Sequence, residues 1–265
     1  KFHDLSKGLN WDCINVVQHK FNLSFYDAIQ KIAQDFNINP QAKRTTIKRK
    51  PTDKYIIIEA FPRRFRKADF DFWKYMTQEE LTDIYRVIPL DKFHLYINGV
   101  KHTYHCSSFS AYAYLFGKLP DGREDIKIYF PFRKKDRFIH NDSKALQGRH
   151  LLKREDDICI LTKSYKDVIY MHKMGIEAIA TKAETIYLTQ RQHSILNNAF
   201  IDIYSLFDND ITGRMSAVYH RDTFGIEPMF FPKSMKKDFT DNLLEYGKDK
   251  MNEIINYAKI RYGIE

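Results

Sequence analysis

The stretch IDIYSLFDNDITGR, residues 201–214, decides the fold prediction for this chain. Five of its first seven residues are apolar or aromatic, which is the pattern of a strand buried on both faces. Asp208 and Asp210 follow at once, and their spacing places both side chains on the same side of the strand's end. Gly213 would then allow a close turn into a helix that begins near Arg214. Two neighbouring carboxylates repel each other unless a cation or a catalytic role holds them, whereas the structural alternative is a helix N-cap beside a turn aspartate.

After Arg154, apolar strand-like runs alternate with helical patterns, which predicts a parallel sheet covered by helices. Strands are predicted at 157–162, 176–181, 200–207 and 226–232, and helices at 164–175, 189–199, 212–225 and 241–261. Sites in such sheets collect at the carboxyl ends of the strands. The predicted ends carry one lysine and a series of acids: Lys163 and Asp167, Glu184, Asp208 and Asp210, and Asp238 and Asp241. This concentration of acids favours a metal site.

Several of these residues also have a structural interpretation. Asp167 could be exposed or could cap its helix, and Asp238 and Asp241 could cap the last helix. A loop glutamate such as Glu184 is usually solvated. Lys163 follows a buried strand, where lysine is rare, and a functional role is therefore favoured for it.

The formal net charge of +9 is concentrated in the first half of the 265-residue chain. Residues 41–75 hold 11 basic and 4 acidic side chains, and residues 118–154 hold 11 and 5, whereas residues 155–265 hold 14 and 17. A basic surface joined to an acidic site predicts a polyanion held against a metal centre. A solvated, solubilising face is the alternative for the basic part.

Composition also excludes several classes of protein. No run of about 18 apolar residues exists, so no membrane span is expected, and residues 1–20 lack the pattern of a signal peptide. Cys13, Cys106 and Cys159 are odd in number and widely spaced, which argues against a disulfide framework and favours a reducing cytoplasm. Without a C-x-x-C pair, no zinc is expected.

The first half divides into three predicted parts. Residues 1–40 contain an amphipathic helix at 24–36 with Ser24 as its N-cap, and residues 41–54 form a basic linker. Residues 55–154 read as a basic α+β subdomain, with strand-like runs at 55–61, 92–97 and 126–132.

The order of the motifs after residue 155 resembles the TOPRIM domain that bacterial-type DNA primases share with topoisomerases and some nucleases. DNDITG (208–213) fits the D-x-D-x-x-G element of that domain, and KDFTD (237–241) fits its later acidic element as primases have it. TKSYKDV (162–168) resembles the first element of a primase. The resemblance implies an α/β fold, with a TOPRIM-type parallel sheet and flanking helices over residues 155–265.

One residue departs from the family pattern. Lys163 stands where the family carries its catalytic glutamate, and a lysine can neither bind Mg²⁺ nor act as a carboxylate base. In one interpretation, four aspartates hold Mg²⁺ or Mn²⁺, Glu184 supplies the missing carboxylate and Lys163 binds a phosphate. In the other, the altered site is not catalytic and the protein only binds nucleic acid. The four aspartates are Asp167, Asp208, Asp210 and Asp238. Phage-encoded primase-like proteins share the form TKSxKDV, which favours a variant site in a bacteriophage protein.

Two further stretches resemble bacterial-type primases. Residues 2–36 resemble the last part of the primase zinc-binding domain, but Asp4 and Lys7 replace its two cysteines, which implies a remnant without zinc. Residues 126–148 resemble the basic strand region of the catalytic core that carries the template strand. The implied nucleic-acid contacts are Arg133, Lys134, Lys135, Arg137, Phe138 and Lys144, with Tyr129 and Phe132 as further stacking partners for bases.

The resemblance as a whole implies a DNA primase. Such an enzyme would make short RNA primers from ribonucleoside triphosphates on single-stranded DNA, with two Mg²⁺ or Mn²⁺ ions assisting nucleotidyl transfer. The implied catalytic residues are Asp208, Asp210, Asp167 and Lys163. A replicative helicase is a further expected partner, and a bacterial host cytoplasm is the expected location. The alternatives are a non-enzymatic replication accessory that binds single-stranded nucleic acid, and a nuclease that cuts DNA with Mg²⁺ and needs no nucleotides.

Overall fold

The chain, seen in a computed structural model, divides into two units, residues 1–52 and 53–265. The structure describes residues 2–4, 9–11, 13–37, 56–107, 109–141, 145–153, 157–183 and 186–261, with the backbone alone at 2–4, 9–11 and 257–261. The predicted linker at 41–54, together with Lys144 and Glu184, lies outside these ranges.

The first unit contains a short antiparallel strand pair followed by two helices. Its elements are β1 (Phe2–Asp4), β2 (Leu9–Trp11), α1 (Cys13–Phe21) and α2 (Phe25–Asp35). Ser24 caps α2, because its Oγ accepts a hydrogen bond from the backbone N–H of Asp27 at 3.2 Å. Ala28 and Ala33 lie on the buried face of this helix, so the prediction of an amphipathic helix is confirmed.

The second unit begins with a six-stranded antiparallel sheet. Its strands are β3 (Ile56–Pro62), β4 (Val87–Ile97), β5 (Val100–His105), β6 (Tyr112–Lys118), β7 (Glu124–Tyr129) and β8 (Phe138–His140). The strand order is β3-β4-β6-β7-β8, with β5 paired to β4. The helix α3 (Lys67–Phe72) and a π-helical turn (Glu80–Ile84) connect β3 to β4, and a 3₁₀ turn (Arg149–Leu151) follows β8.

A four-stranded parallel sheet forms the rest of the second unit. Its strands are β9 (Ile158–Thr162), β10 (Ala178–Ala180), β11 (Asp202–Leu206) and β12 (Glu227–Met229). The helices are α4 (Tyr165–Lys173), α5 (Gln190–Asn197), α6 (Ile211–Phe224) and α7 (Phe239–Arg261), which is interrupted at Gly247. The prediction of an α/β fold with a parallel sheet and flanking helices is confirmed. Among the described residues, no helix has both the length and the apolar composition needed to cross a membrane.

Both faces of the parallel sheet are covered by apolar contacts. Ile160 of β9 shares a core with Val168 of α4 and Ile255 of α7, whereas its neighbour Leu161 shares another with Leu196 of α5 and Ala217 of α6. This alternation explains why β9 is apolar throughout. The first core also contains aromatic side chains from the antiparallel part, among them Trp73, Tyr112 and Tyr114. One core therefore joins the antiparallel strands to the parallel sheet.

The order of the parallel strands places a crevice at the centre of the sheet. The order is β10-β9-β11-β12, so the chain passes from β9 to β10 on one side and then returns to β11 on the other side of β9. The connections on the two sides of β9 diverge, which leaves a space at the carboxyl ends of β9 and β11. Lys163 follows β9 and Asp208 follows β11, so both residues lie at this point.

Gly213 has a different role from the one expected. The helix α6 begins at Ile211 and not near Arg214, and Gly213 lies in its first turn. A Cβ atom at this glycine would lie 2.1 Å from the carbonyl oxygen and 2.8 Å from the backbone nitrogen of Asp208. The glycine of the D-x-D-x-x-G pattern is thus required by close backbone packing, because any side chain would push Asp208 away.

We expect Gly213→Ala to lower the free energy of unfolding by at least about 2 kcal/mol, since backbone atoms cannot yield to the added methyl group. Urea unfolding followed by circular dichroism measures the change. The exposed neighbour provides the control: Thr212→Ala should change the free energy of unfolding by less than about 0.5 kcal/mol. Equal stability of the two variants would contradict the packing argument.

Candidate active site at the carboxyl ends of the parallel strands

Asp208 is a buried carboxylate held by two lysines. Its side chain is 2% exposed, and its Oδ2 forms an ion pair with Lys163 from the end of β9. Lys237, in the loop before α7, places its Nζ 3.1 Å from the same oxygen. A buried charge is costly unless it is paired, so the two ammonium groups account for the ionised carboxylate at this depth.

Asp210 combines the two roles that its position suggests. It is the N-cap of α6, and its Oδ1 accepts a hydrogen bond from the backbone N–H of Gly213 at 2.9 Å. Its Oδ2 lies 2.6 Å from Lys237 Nζ. Burial acts to raise the pKa of Asp210, but the Gly213 N–H and the Lys237 ammonium outweigh it and hold the pKa below its ordinary value. Asp210 is therefore both a helix cap and half of a cation-binding pair.

Asp167 joins α4 to the start of α7. One carboxylate oxygen accepts the Ser164 hydroxyl at 2.6 Å, and the other accepts the backbone N–H and the hydroxyl of Thr240 at 3.1 and 2.7 Å. Burial, and then the charge of Asp238, raise the pKa of Asp167. Its oxygens thus carry structural hydrogen bonds at the position where the sequence suggested a metal ligand.

Asp238 shows the capping arrangement that was its structural alternative. Asp238 Oδ1 accepts the backbone N–H of Asp241 at 2.8 Å, at the start of α7. Both residues also line the cavity in front of the strand ends. Asp238 therefore combines a capping role with a place in the cavity wall.

A cavity of about 330 Å³ brings acidic and basic side chains together. The end of β9, the first turn of α4 and the start of α7 contribute Lys163, Asp167, Asp238 and Asp241 to it, and the antiparallel part contributes Lys127 and Arg137. The remaining lining residues are Tyr114, Tyr129, Phe138, His140, Ser164, Tyr165, Lys166, Lys182 and Ala183. Such a cavity is suited to a polyanion with a reactive phosphate.

Two buried lysines in this cavity were not singled out from the sequence. Lys127 Nζ donates hydrogen bonds to Gln147 Oε1 and to the Lys182 carbonyl, both at 2.9 Å, and Lys182 Nζ donates to the Asn141 carbonyl at 2.7 Å. Burial, and then the nearby Lys182 charge, lower the pKa of Lys127 to about 7. The available signal was a lysine inside the apolar run IKIYF, where a strand residue is expected to be buried.

The predicted nucleic-acid residues separate into two groups. Arg137 and Phe138 line the cavity; Arg137 donates a hydrogen bond to the Tyr129 hydroxyl at 2.9 Å, and the Phe138 ring stacks on Tyr129 with 5.0 Å between centroids. Lys134 and Lys135 are exposed in the turn before β8, outside the cavity lining. Arg133 packs its guanidinium over the Phe130 ring at 3.6 Å. Arg133, Lys134 and Lys135 thus form a basic surface beside the cavity.

The acids do not form a complete metal site. Within the described ranges, no group of three or more His, Cys, Asp or Glu residues is arranged to hold a metal ion. Asp208 and Asp210 share one cation, the Lys237 ammonium, and offer carboxylate oxygens of the kind that Mg²⁺ prefers. At the end of β9, Lys163 pairs with Asp208 as well.

Comparison with known proteins relates the chain to DNA primases. The DNA primase of Aquifex aeolicus (strain VF5) is 29% identical over 108 residues, which are 39% of this chain and 21% of that protein. The chain thus spans about a fifth of the length of the curated relative that it matches. This sequence match confirms the resemblance to DNA primases over the matched residues. No protein-family model matches the chain.

Solved structures of primases align with the chain at low sequence identity. The zinc-binding and RNA polymerase domains of the Aquifex aeolicus primase align with a TM-score of 0.48 and 18% identity, covering 93% of this chain and 70% of that one. A DNA primase domain from Pseudomonas aeruginosa gives 0.49 and 15%, covering 75% and 64%. The primase fragment of the bacteriophage T7 primase-helicase protein gives 0.44 and 13%, covering 73% and 77%.

We expect Lys127 to make stability depend on pH. Its folded pKa of about 7 lies below the ordinary lysine value of about 10.4, so between these values the unfolded chain binds one more proton than the folded chain. The free energy of unfolding should therefore rise with pH in this window, by up to about 1.4 kcal/mol per unit, and the rise should be absent in Lys127→Met. Urea unfolding at pH 6, 7, 8 and 9 measures it.

The exposed Lys118 supplies the control, because Lys118→Met should keep the wild-type pH dependence. Parallel profiles for the wild type and Lys127→Met would show that the buried ammonium is not the cause.

Proposed function

We propose that this chain carries the polymerising core of a phage-type DNA primase, which joins ribonucleotides into short RNA primers on single-stranded DNA. The observation that carries the proposal is the cavity that Asp167, Asp238 and Asp241 line together with Lys127 and Arg137 of the antiparallel part, and whose wall residue Lys163 forms an ion pair with Asp208. The sequence match to a DNA primase supports this reaction over other uses of such a cavity.

The cavity offers the charges that a ribonucleoside triphosphate needs. The sequence contains no Gly-rich phosphate loop, so side-chain ammonium and guanidinium groups must hold the triphosphate. Lys163, Lys166 and Lys182 line the cavity near the acids, and Arg137 lies on the opposite wall. These groups would orient the α-phosphate towards the primer's 3′-hydroxyl and stabilise the charge that develops during transfer.

A divalent ion, Mg²⁺ or Mn²⁺, would be held by Asp208 and Asp210, where the Lys237 ammonium stands between them. Such an ion supplies positive charge to the transferring phosphoryl group. Asp167 supports this place indirectly, because its hydrogen bonds to Thr240 fix the start of α7.

The template would pass over the basic surface beside the cavity. Lys134 and Lys135 are exposed and suited to phosphate contacts. Phe132, which is 69% exposed, contacts Phe72 edge to face with 5.7 Å between centroids, so its ring is available to stack on a base. The template strand would thereby be fixed next to the nucleotide.

We expect Asp208→Asn and Asp210→Asn each to lower the rate of primer synthesis by about 100-fold or more, because each removes charge at the site of phosphoryl transfer. The assay follows labelled ribonucleotides on single-stranded DNA with Mg²⁺ or Mn²⁺. Asp222→Asn is the control, since Asp222 is exposed near the other end of α6 and should leave the rate unchanged.

Binding of single-stranded DNA, measured by fluorescence anisotropy, should survive in both site variants. Wild-type synthesis in Asp210→Asn, or no synthesis by the wild type with intact DNA binding, would contradict the enzymatic proposal and leave a binding accessory.

We expect the double variant Lys134→Ala, Lys135→Ala to weaken binding of single-stranded DNA and to reduce the slope of log affinity against log salt by about 1.4, because two phosphate contacts are lost. Anisotropy titrations between 50 and 300 mM salt measure the slope. The double variant Lys248→Ala, Lys250→Ala removes the same charge from exposed positions in α7. An equal effect of the two double variants would mean that net charge alone attracts the DNA.

A further inference from the structure

The two lysines that hold Asp208 differ in how firmly they are placed. The Lys163 side chain is 19% exposed and that of Lys237 is 54% exposed, against 2% for Asp208. A half-exposed ammonium can exchange its carboxylate for water at little cost. The largely buried Lys163 cannot, because little water reaches its ammonium to replace the carboxylate.

The sheet itself fixes Lys163 beside Asp208. The strands β9 and β11 are parallel neighbours with Leu161 opposite Ser205, so Lys163 and Asp208 follow paired strands in nearly the same register. Lys237 reaches the site from a loop. Its backbone carbonyl accepts the Asn209 N–H at 2.7 Å, which holds the loop near Asp208, while the lysine side chain remains half-exposed.

We propose that Lys163 is a permanent counter-cation that restricts this acidic site to one divalent ion, bound by Asp208 and Asp210 when Lys237 swings away. A second ion on the β9 side would lie against a fixed ammonium. The nearby carboxylates are engaged elsewhere, because Asp167 accepts hydrogen bonds from Ser164 and Thr240 and Asp238 accepts one from the backbone of Asp241. The inference deepens the proposed function, because it takes a divalent ion as the cofactor of the same site. It assigns Lys163 a positioning role, in which its ammonium pairs with Asp208 and fixes the orientation of that carboxylate.

The same geometry indicates that Lys237 occupies the ion's place and is displaced when the ion binds. Its ammonium lies 3.1 Å from Asp208 Oδ2 and 2.6 Å from Asp210 Oδ2, which is the place that the single ion would take. A divalent ion must therefore compete with Lys237 but not with Lys163. Removal of Lys237 should tighten ion binding without changing the number of ions.

The test counts Mn²⁺ ions bound to the full chain, from the electron paramagnetic resonance of free Mn²⁺, with neither DNA nor nucleotide present. We expect one ion per wild-type chain and two per chain of Lys163→Glu. We expect one ion in Lys237→Ala, bound about tenfold more tightly than in the wild type, because a competing positive charge is gone. The adjacent, equally exposed Lys236 provides the control, and Lys236→Ala should match the wild type.

Two ions in the wild type, or one ion in Lys163→Glu with wild-type affinity, would overturn the proposal. Equal affinities of Lys237→Ala and Lys236→Ala would also overturn it. Circular dichroism and thermal unfolding verify that each variant is folded. If Lys163→Glu does not fold, Lys163→Asp serves in its place: the proposal predicts two bound Mn²⁺ ions, and a single ion with wild-type affinity contradicts it.

The result does not depend on primer synthesis. One bound ion without primer synthesis would refute the proposed function and leave the role of Lys163 intact. Two bound ions with active primer synthesis would refute the role of Lys163 and leave the proposed function intact.

Discussion

The neutralisation of one buried carboxylate organises this site. Asp208 lies at the centre of the parallel sheet, where the chain reverses the direction in which it adds strands. Its side chain is 2% exposed, and a charge at that depth requires compensating partners. Those partners come from the end of the neighbouring strand, Lys163, and from the loop before the last helix, Lys237. The Asp208 backbone in turn leaves no space for a side chain at Gly213. The order of the parallel strands, the start of α6 and the position of the loop before α7 are thus all linked to Asp208 by direct contacts.

A second constraint sets the opposite wall of the cavity. The aromatic core that includes Tyr112 and Tyr114 continues into the face of the parallel sheet covered by α4 and α7, so the antiparallel strands are held against the strand ends. This places Lys127 and Arg137 across from the acids. The chemistry of the cavity therefore depends on contacts between two sheets, because all the cavity's aspartates come from the part with the parallel sheet, whereas the antiparallel part adds the cations Lys127 and Arg137.

The sequence predicted the parallel sheet, its helices and the position of the acidic cluster, because these follow from periodicity and from the order of elements. It did not predict the role of Gly213, since a glycine after a strand indicates a turn as readily as a close backbone contact. Asp167 shows the same limit: its spacing suggested a ligand, whereas its hydrogen bonds go to Ser164 and Thr240. The roles of three lysines depend on partners far away in sequence and so could not be predicted. Lys127 binds Gln147, Lys182 binds Asn141 and Lys237 binds Asp210.

The central claim is that the cavity between these walls is where a ribonucleotide is added to a primer. A crystal structure of the chain with single-stranded DNA, a non-hydrolysable ribonucleoside triphosphate and Mn²⁺ tests it most directly, because manganese is located by its anomalous scattering. The account predicts manganese between Asp208 and Asp210, the triphosphate against Lys163 and Lys182, and the DNA beside Phe132. Manganese bound away from Asp208 and Asp210, with the Lys237 ion pairs intact, or triphosphate bound outside the cavity, would contradict it.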